Sequence, residues 1–393
     1  MTNTKEMNTI KFIQQNLHKS LAEIALLLSK KPELDATFIL NQINGLQKAK
    51  TKLPEFYNNK SIIYPLKLAM EQCSSEATAI YKSTLVKGKS MLDLTGGFGV
   101  DAYYFSKKIE QVNYVEQNKD VFEIAKNNFT FLEAKNIKTI YSPAEDCLKK
   151  TKTKFDFIYI DPSRRNEKKR VFKLDECTPN IVELAPEIFK ITDKILIKTA
   201  PLLDIKLTLK DLKFVTNVWV IAVDNDCKEV LYLLENNKKV EPQIHCVNLS
   251  KINQFFDFTF EQEKATNSEY FLPEKFLYEP NVAVLKAGAF NAVGKQFQLK
   301  KIATNSHLYT SQQLVANFPG RVFEIKSVLN YQPKDFSKLG LKKANVSCRN
   351  FKDSVEQVKK KLKLKDGGEQ YVFATTDWNE KPILVNCVKK LNK

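Results

Sequence analysis

Four short stretches of the chain carry side chains that could hold a nucleotide-like ligand and a reacting group. The first is Leu92-Asp93-Leu94-Thr95-Gly96-Gly97-Phe98-Gly99-Val100-Asp101. An apolar strand ends there in a glycine-rich turn that feeds a helix, and the glycines let the backbone close on a ligand. Dinucleotide sites use a similar turn, and so do plain strand-to-helix connections. The second is Glu116, at the end of the next strand, where a carboxylate can accept both ribose hydroxyls of an adenosine ligand. The third, Ser142-Pro143-Ala144-Glu145-Asp146, offers Glu145 or Asp146 to the exocyclic amine of adenine. An acid in the first turn of a helix is also favoured by the helix dipole, so the choice stays open. The fourth is Phe155-Asp156-Phe157-Ile158-Tyr159-Ile160-Asp161-Pro162-Ser163-Arg164-Arg165. Its apolar run delivers Asp161 to the carboxyl edge of a sheet, where open α/β sheets bind ligands, and Pro162 stiffens the turn. Asp161 there can orient an acceptor or take its proton, with Pro162, Ser163 and Arg164 completing a catalytic turn. The plain alternative is a structural acid at a strand end.

Cations follow at once. Arg164, Arg165, Lys168, Lys169 and Arg170 could clamp substrate phosphates, and Lys198 at the end of a later strand faces the same edge. A solvated loop explains the same run equally well. His307, one of three histidines, reads as structural rather than catalytic.

These residues require an alternating scaffold. Apolar runs at Met91–Leu94, Val112–Val115, Thr139–Ile140, Phe155–Ile160 and Ile195–Ile197 are separated by helical patterns such as Val100–Lys108 and Lys119–Ala134. Strands alternating with helices imply an α/β fold with a Rossmann-like, doubly wound, mostly parallel sheet. Two further runs, Val218–Val223 and Val230–Leu234, have only a turn between them and read as an antiparallel hairpin at the sheet edge. Ahead of the sheet, Ile10, Ile13, Leu17, Leu21, Ile24, Ala25 and Leu28 form one helical stripe closed by Pro32, and Ala36–Lys48 repeats it. Beyond Asn236 come shorter units: a strand at Gln254–Phe260, a helical or mixed stretch at Asn281–Leu299 and a strand at Arg321–Val328. A final block reads strand (Ala344–Cys348), helix (Ser354–Leu362) and two strands (Gln370–Thr375, Lys381–Val388). The expected organisation is therefore an N-terminal helical region (1–60), an α/β domain (61–235) and C-terminal α+β domains (236–330 and 331–393).

Composition narrows the partners. The 393 residues carry a formal charge of +17, and residues 331–393 alone hold 15 basic against 7 acidic side chains. Such an imbalance points to a polyanion, RNA or DNA first, although a lysine-rich genome would also give a basic surface. Seven scattered cysteines without a CxxC spacing argue against a disulfide framework and against a metal site, and fit reduced thiols in a cytoplasmic protein. The polar N-terminus shows no signal peptide, and no apolar run is long enough for a membrane span.

In the order Asp93, Glu116, Asp146, Asp161, the chain resembles the class I S-adenosylmethionine-dependent methyltransferase family over about 170 residues. The resemblance implies that Asp93, Thr95, Gly97 and Gly99 hold the methionine part of S-adenosyl-L-methionine, Glu116 the ribose, and Glu145 or Asp146 the adenine. Thr95 stands where that family often has a first glycine. A narrower resemblance rests on Leu68–Lys82, Tyr278-Glu279-Pro280-Asn281, Asn305-Ser306-His307-Leu308-Tyr309, Phe318-Pro319-Gly320-Arg321 and Leu364-Lys365-Asp366-Gly367-Gly368. Together these are similar to a bacterial methyltransferase type with a ferredoxin-like insert and a C-terminal THUMP-like domain, which implies an RNA-modifying transferase.

Absences narrow the acceptor. Methylation at a pyrimidine C5 needs a cysteine thiolate, and neither the Asp-Pro turn nor Ile195–Pro201 has one. Exocyclic-amine enzymes follow Asp-Pro-Pro with an aromatic that stacks on a flipped base, and Ser163 and Arg164 stand there instead. Ring nitrogen, guanine amine and ribose stay open. Small-molecule or protein methylation, a non-catalytic RNA-binding protein with this fold, and a nicotinamide-dependent reductase are the competing readings. The Asp-Pro turn disfavours the last.

Overall fold

A computed structural model describes residues 4–163, 165–166, 169–170 and 173–390. The chain divides into two compact units, 1–215 with 232–239, and 216–231 with 240–393.

The first unit opens with four helices, α1 (Thr4–Asn16), α2 (Leu21–Leu28), α3 (Ala36–Lys52) and α4 (Pro54–Asn58). Phe12, Ile24, Leu28, Leu34, Ile39 and Ile43 form their buried core. The stripe from Ile10 to Leu28 is not one helix. Ser20 interrupts it, accepting from Glu23 N–H while Glu23 reaches back to Ser20 N–H, a capping box that starts α2 afresh. Two more helices, α5 (Lys67–Gln72) and α6 (Glu76–Thr84, capped by Ser75), lead into the sheet.

Five parallel strands follow: β1 (Ser90–Asp93), β2 (Gln111–Glu116), β3 (Ile137–Tyr141), β4 (Phe157–Ile160) and β5 (Lys194–Thr199). Their order is β3-β2-β1-β4-β5. Helices α7 (Val100–Ser106), α8 (Lys119–Phe131, capped by Asn118), α9 (Ala144–Lys150), α10 (Ile181–Ile188, capped by Asn180) and α11 (Ile205–Asp211, capped by Asp204) make the crossovers. β4 is buried throughout, as a strand covered on both faces must be. The order reverses between β1 and its neighbours β2 and β4, so a crevice opens at the carboxyl ends of these strands. Asn128 on α8 ties the chain before α5 to this core, giving its amide to Ile63 C=O (2.8 Å) and accepting Ile63 N–H (2.9 Å).

Strands β6 (Val215–Val223) and β7 (Asp226–Glu235) are joined through Asp224 and Asn225, both at positive φ (49° and 63°), the geometry of a tight hairpin turn. The expectation that this hairpin ends the sheet is wrong. β8 (Gln243–Leu249) pairs in parallel with β6, from Gln243 opposite Asn217 to Leu249 opposite Val223, and β9 (Gln254–Phe258) runs antiparallel to β8. Ile244, Cys246, Val247 and Leu249 bury the side chains that hide this strand from a simple alternation.

The second unit also holds a seven-stranded sheet built from β10 (Phe276–Pro280), β11 (Tyr309–Ser311), β12 (Gly320–Asn330), β13 (Asn345–Arg349), β14 (Gln370–Thr376), β15 (Pro382–Lys390) and the short pair Lys300–Lys301. The order is Lys300–Lys301, β11, β10, β12, β15, β14, β13, with only β13 and β14 parallel. Asn281–Leu299 resolves into two short helices, Val282–Ala287 and Ala292–Gln296. Glu279 on β10, almost wholly buried, accepts from both Arg321 and Arg349 and so ties β10 to β12 and β13. Among the described residues no helix is long and apolar enough to cross a membrane.

Candidate functional site

β1 ends at Asp93, whose carboxylate is fully buried. One oxygen accepts Thr95 N–H at 3.1 Å, and the other, Oδ2, has no hydrogen-bond partner. Burial pushes this carboxyl well above the usual range, with Asp101, Asp161 and Glu116 adding to the push. A buried carboxylate with an idle oxygen costs stability unless a donor arrives.

The glycine turn hugs the protein on one side and is open on the other. A side chain at Gly99 (φ 83°) would strike the Phe129 ring at 2.6 Å. Gly97 (φ 52°) has only Thr95 O near its missing Cβ, at 4.0 Å. Space for a ligand therefore lies over Gly97. Glu116 at the end of β2 closes the turn, accepting Gly97 N–H at 2.9 Å and Asn118 N–H at 2.6 Å. These bonds fix the carboxylate at the sheet edge and leave further lone pairs for hydroxyl donors.

Asp161 and Pro162 follow β4, with Asp161 N–H donated to Thr95 Oγ1 at 2.6 Å. The departure from glycine at position 95 thus has a use: its hydroxyl joins the glycine turn to the Asp-Pro turn. Asp161 Oδ2 meets Lys198 Nζ at 2.6 Å, with the aspartate side chain one third exposed and the lysine almost wholly buried. Burial raises the Asp161 carboxyl above its ordinary value while Lys198 pulls against it. Ser163 pairs its backbone with Thr178, which anchors the far side of the turn.

Glu145 and Asp146 open α9; Asp146 is exposed, 4.0 Å from Lys149, and Glu145 is half-buried. Arg164 and Lys168 lie outside the described residues. Arg165–Asn166 and Lys169–Arg170 form a two-stranded antiparallel hairpin. Lys198, expected to join these cations at the substrate, is almost wholly buried and paired with Asp161. His307, at positive φ, stacks on Phe290 with ring centroids 3.7 Å apart; burial first, then Lys301 and Arg349, lowers its pKa to about 4.

Residues that motif reading did not single out complete the site. Ser74, Lys82, Asp101 and Tyr159 form a buried polar cluster behind Lys198. Ser74 Oγ donates to Asp101 Oδ2 (2.8 Å) and accepts from Lys82 (2.7 Å) and Lys198 (3.4 Å). Lys82 also pairs with Asp101 Oδ1 at 3.0 Å, and Tyr159 OH donates to Asp101 Oδ2 at 2.8 Å. Burial would raise the Asp101 carboxyl, but Lys82, Lys198 and the two hydroxyls outweigh it and hold it below the usual range. The signal was present in sequence only as a lysine in a short helix ahead of the sheet and an acid just past a glycine turn.

An open parallel sheet with a glycine turn after β1, an acid ending β2 and an Asp-Pro turn after β4 defines the class I methyltransferase fold. Comparison with known proteins agrees. Family models match residues 75–179 (conserved hypothetical protein 95), 276–319 (a ferredoxin-like domain) and 320–389 (a THUMP-like domain). The crystal structure of a proposed methyltransferase from Porphyromonas gingivalis W83 superposes with a TM-score of 0.86 at 30% identity, covering 98% of each chain. The chain belongs to that family, the methyltransferase type with ferredoxin-like and THUMP-like domains. An uncharacterized RNA methyltransferase of Mycoplasma mobile is 28% identical over 174 residues, 42% of this chain. The match spans just under half of that relative, 46% of its length.

Proposed function

We propose that this protein is an S-adenosylmethionine-dependent methyltransferase that modifies RNA, in the cytoplasm. The observation that carries the reading is the meeting of three carboxylates, Asp93, Glu116 and Asp161, at the carboxyl ends of β1, β2 and β4, one with a buried unpartnered oxygen. Such a site suits a ligand that brings positive charge and hydroxyl donors. S-adenosylmethionine carries an ammonium and a sulfonium, and when bound supplies an electrophilic methyl group. Asp93 Oδ2 would take the ammonium, the open face of Gly97 would admit the methionine backbone, Thr95 and Gly99 would shape that turn, and Glu116 would accept from the ribose. Glu145 or Asp146 would serve the adenine.

Asp161 then acts on the acceptor. Its Oδ2 is held by Lys198, so Oδ1 is the atom left to accept a hydrogen bond from the acceptor. With the methyl group supplied by the bound cofactor, Asp161 would hold the acceptor by its hydrogen and take up, directly or through water, the proton that the acceptor gives up on methylation. Orientation supplies most of the rate, since the displacement is in line. Pro162, Ser163 and Arg164 would shape this turn.

RNA is supported by the +17 charge, the basic stretch 331–393 and the THUMP-like match. Arg164, Arg165, Lys168, Lys169 and Arg170 are the proposed phosphate contacts. We assign the α/β catalytic domain to 61–235, the helical region to 1–60, and the accessory domains to 236–330 and 331–393. Calorimetry with S-adenosylmethionine and NADH, on wild type and Glu116→Ala, tests the cofactor. Binding of the former alone, weakened by the substitution, is expected; no binding to pure wild type refutes the reading.

A further inference from the structure

The Cys73-Ser74-Ser75-Glu76 stretch belongs to no step so far, yet its serine sits at the centre of the buried charge cluster. Ser74 Oγ is the shared atom between Lys82, Lys198 and Asp101. A hydroxyl has one proton and two lone pairs. The proton must go to Asp101, because a carboxylate at 2.8 Å accepts and cannot donate, while both ammonium groups can only donate. The two lone pairs are thus committed to Lys82 and Lys198. The polarity of the whole chain, from Lys82 through Ser74 to Lys198 and Asp161, is fixed by the identity of one atom.

Lys82 pairs with Asp101 and Lys198 with Asp161. Lys198 nevertheless feels both carboxylates. An acceptor at Ser74 Oγ holds its ammonium between them, in position for Asp161. Loss of that acceptor would loosen the ammonium and free it to lean toward Asp101.

We infer that Ser74 is a positioning residue: acting through Lys198, it keeps the Asp161 carboxylate aimed so that its second oxygen can receive the acceptor's hydrogen. This rests on the methyltransferase reading above for the role of Asp161, though not for the network itself. The groups that face Asp161 or its lysine are Lys198 on β5, Asp101 on α7, Lys82 on α6, Asp93 at the end of β1, Lys52 at the end of α3 and Cys73 just after α5. Tyr159 on β4 donates to Asp101.

The test uses the full-length protein as wild type, Ser74→Ala and Ser74→Thr. Two measurements keep the inference separate from the function. The first is the carboxyl carbon resonance of Asp161 in protein labelled at aspartate side-chain carboxyls, assigned with Asp161→Asn and followed against pH. Ser74→Ala should raise the Asp161 midpoint by about one pH unit, and Ser74→Thr, which restores the hydroxyl, should return it. The second is methyl transfer from labelled S-adenosylmethionine to total RNA from a strain lacking the gene. There Ser74→Ala should lower kcat about tenfold and move the acidic limb upward, with KM values within about twofold. An Asp161 titration unchanged in Ser74→Ala, or one changed equally in Ser74→Thr, overturns the inference whether or not any RNA is methylated. If wild type transfers no methyl group while the titration shifts as expected, the proposed function fails and the positioning role stands.

Discussion

Replacing Asp93 with asparagine should stabilise the ligand-free protein while destroying its binding site. Asp93 is completely buried, one of its oxygens has no donor, and Asp101, Asp161 and Glu116 all disfavour its charge. Asparagine keeps the shape and keeps an oxygen for Thr95 N–H. Its amide replaces the idle oxygen with a donor aimed into a region of three carboxylates. Relieving one unsatisfied buried polar group is worth about 1–3 kcal/mol. That corresponds to a rise of roughly 2–4 °C in Tm per kcal/mol for a domain of this class of size. A carboxylate raised by burial destabilises more as it ionises. Its favourable contribution is complete below the unfolded value and is lost as pH rises through the folded one, so the gain from Asp93→Asn should grow with pH. Saturating S-adenosylmethionine tells the other half. At a hundredfold excess over Kd it should stabilise wild type by about 2.7 kcal/mol, and the variant hardly at all. Scanning fluorimetry of both proteins, with and without the ligand, at a neutral and a mildly acidic pH, measures every term. A lower Tm for ligand-free Asp93→Asn, or equal stabilisation of both proteins by the ligand, would refute the reasoning.

Three further substitutions probe the frame around that site. Gly97→Ala should fold, losing about 1–2 kcal/mol to its left-handed φ, yet bind S-adenosylmethionine poorly by calorimetry because the new methyl enters the open side of the turn. Gly99→Ala should instead lose stability heavily, by about 2–4 kcal/mol in denaturant titration, since its methyl meets the Phe129 ring as well as a positive φ. Asn128→Ala orphans both backbone groups of Ile63 and should cost about 2–3 kcal/mol, with faster amide exchange around residues 61–64. His307 is held near pKa 4 against 6.5 when unfolded. The unfolded chain therefore binds the extra proton first, and stability of the second unit should fall as pH drops from about 6.5 toward 4. His307→Asn should flatten that slope in urea titrations, and an unchanged slope would place its cause elsewhere.

What could be read from the residues alone divides along a physical line. β1, β4 and β5 announce themselves because a parallel strand buried on both faces is a continuous apolar run, β2 shows a partly buried version of it, and the acids at their carboxyl ends follow from topology. Glu116 and Asp161 could therefore be assigned to the sheet edge by counting. β8 could not: its partner β6 begins 28 residues earlier, and nothing local distinguishes a seven-residue parallel strand from a loop. The charge cluster is harder still. Ser74, Asp101, Tyr159 and Lys198 span 124 residues, and each is unremarkable in its own stretch. Lys198 reads as a substrate-facing cation because lysine is rarely buried, and only the geometry shows that it and Lys82 each have a carboxylate within reach.

That failure carries information about the site itself. Burying two lysines is costly unless the opposing acids are placed within bonding reach, so a sequence keeps such a cluster only at the expense of a simpler apolar core. Here the cluster ends at the one carboxylate that borders open space, Asp161, and at the serine of a segment that precedes the sheet. The helical segment before β1 is therefore part of the site's electrostatics, and removal of residues 1–75 should alter the Asp161 titration even if the sheet still folds. Carboxyl resonances of such a truncated chain, compared with Ser74→Ala, would separate the loss of one hydroxyl from the loss of the wall that carries it. An Asp161 midpoint equal to wild type in the truncated chain would mean that Lys82, Asp101 and Lys198 hold their places without Ser74.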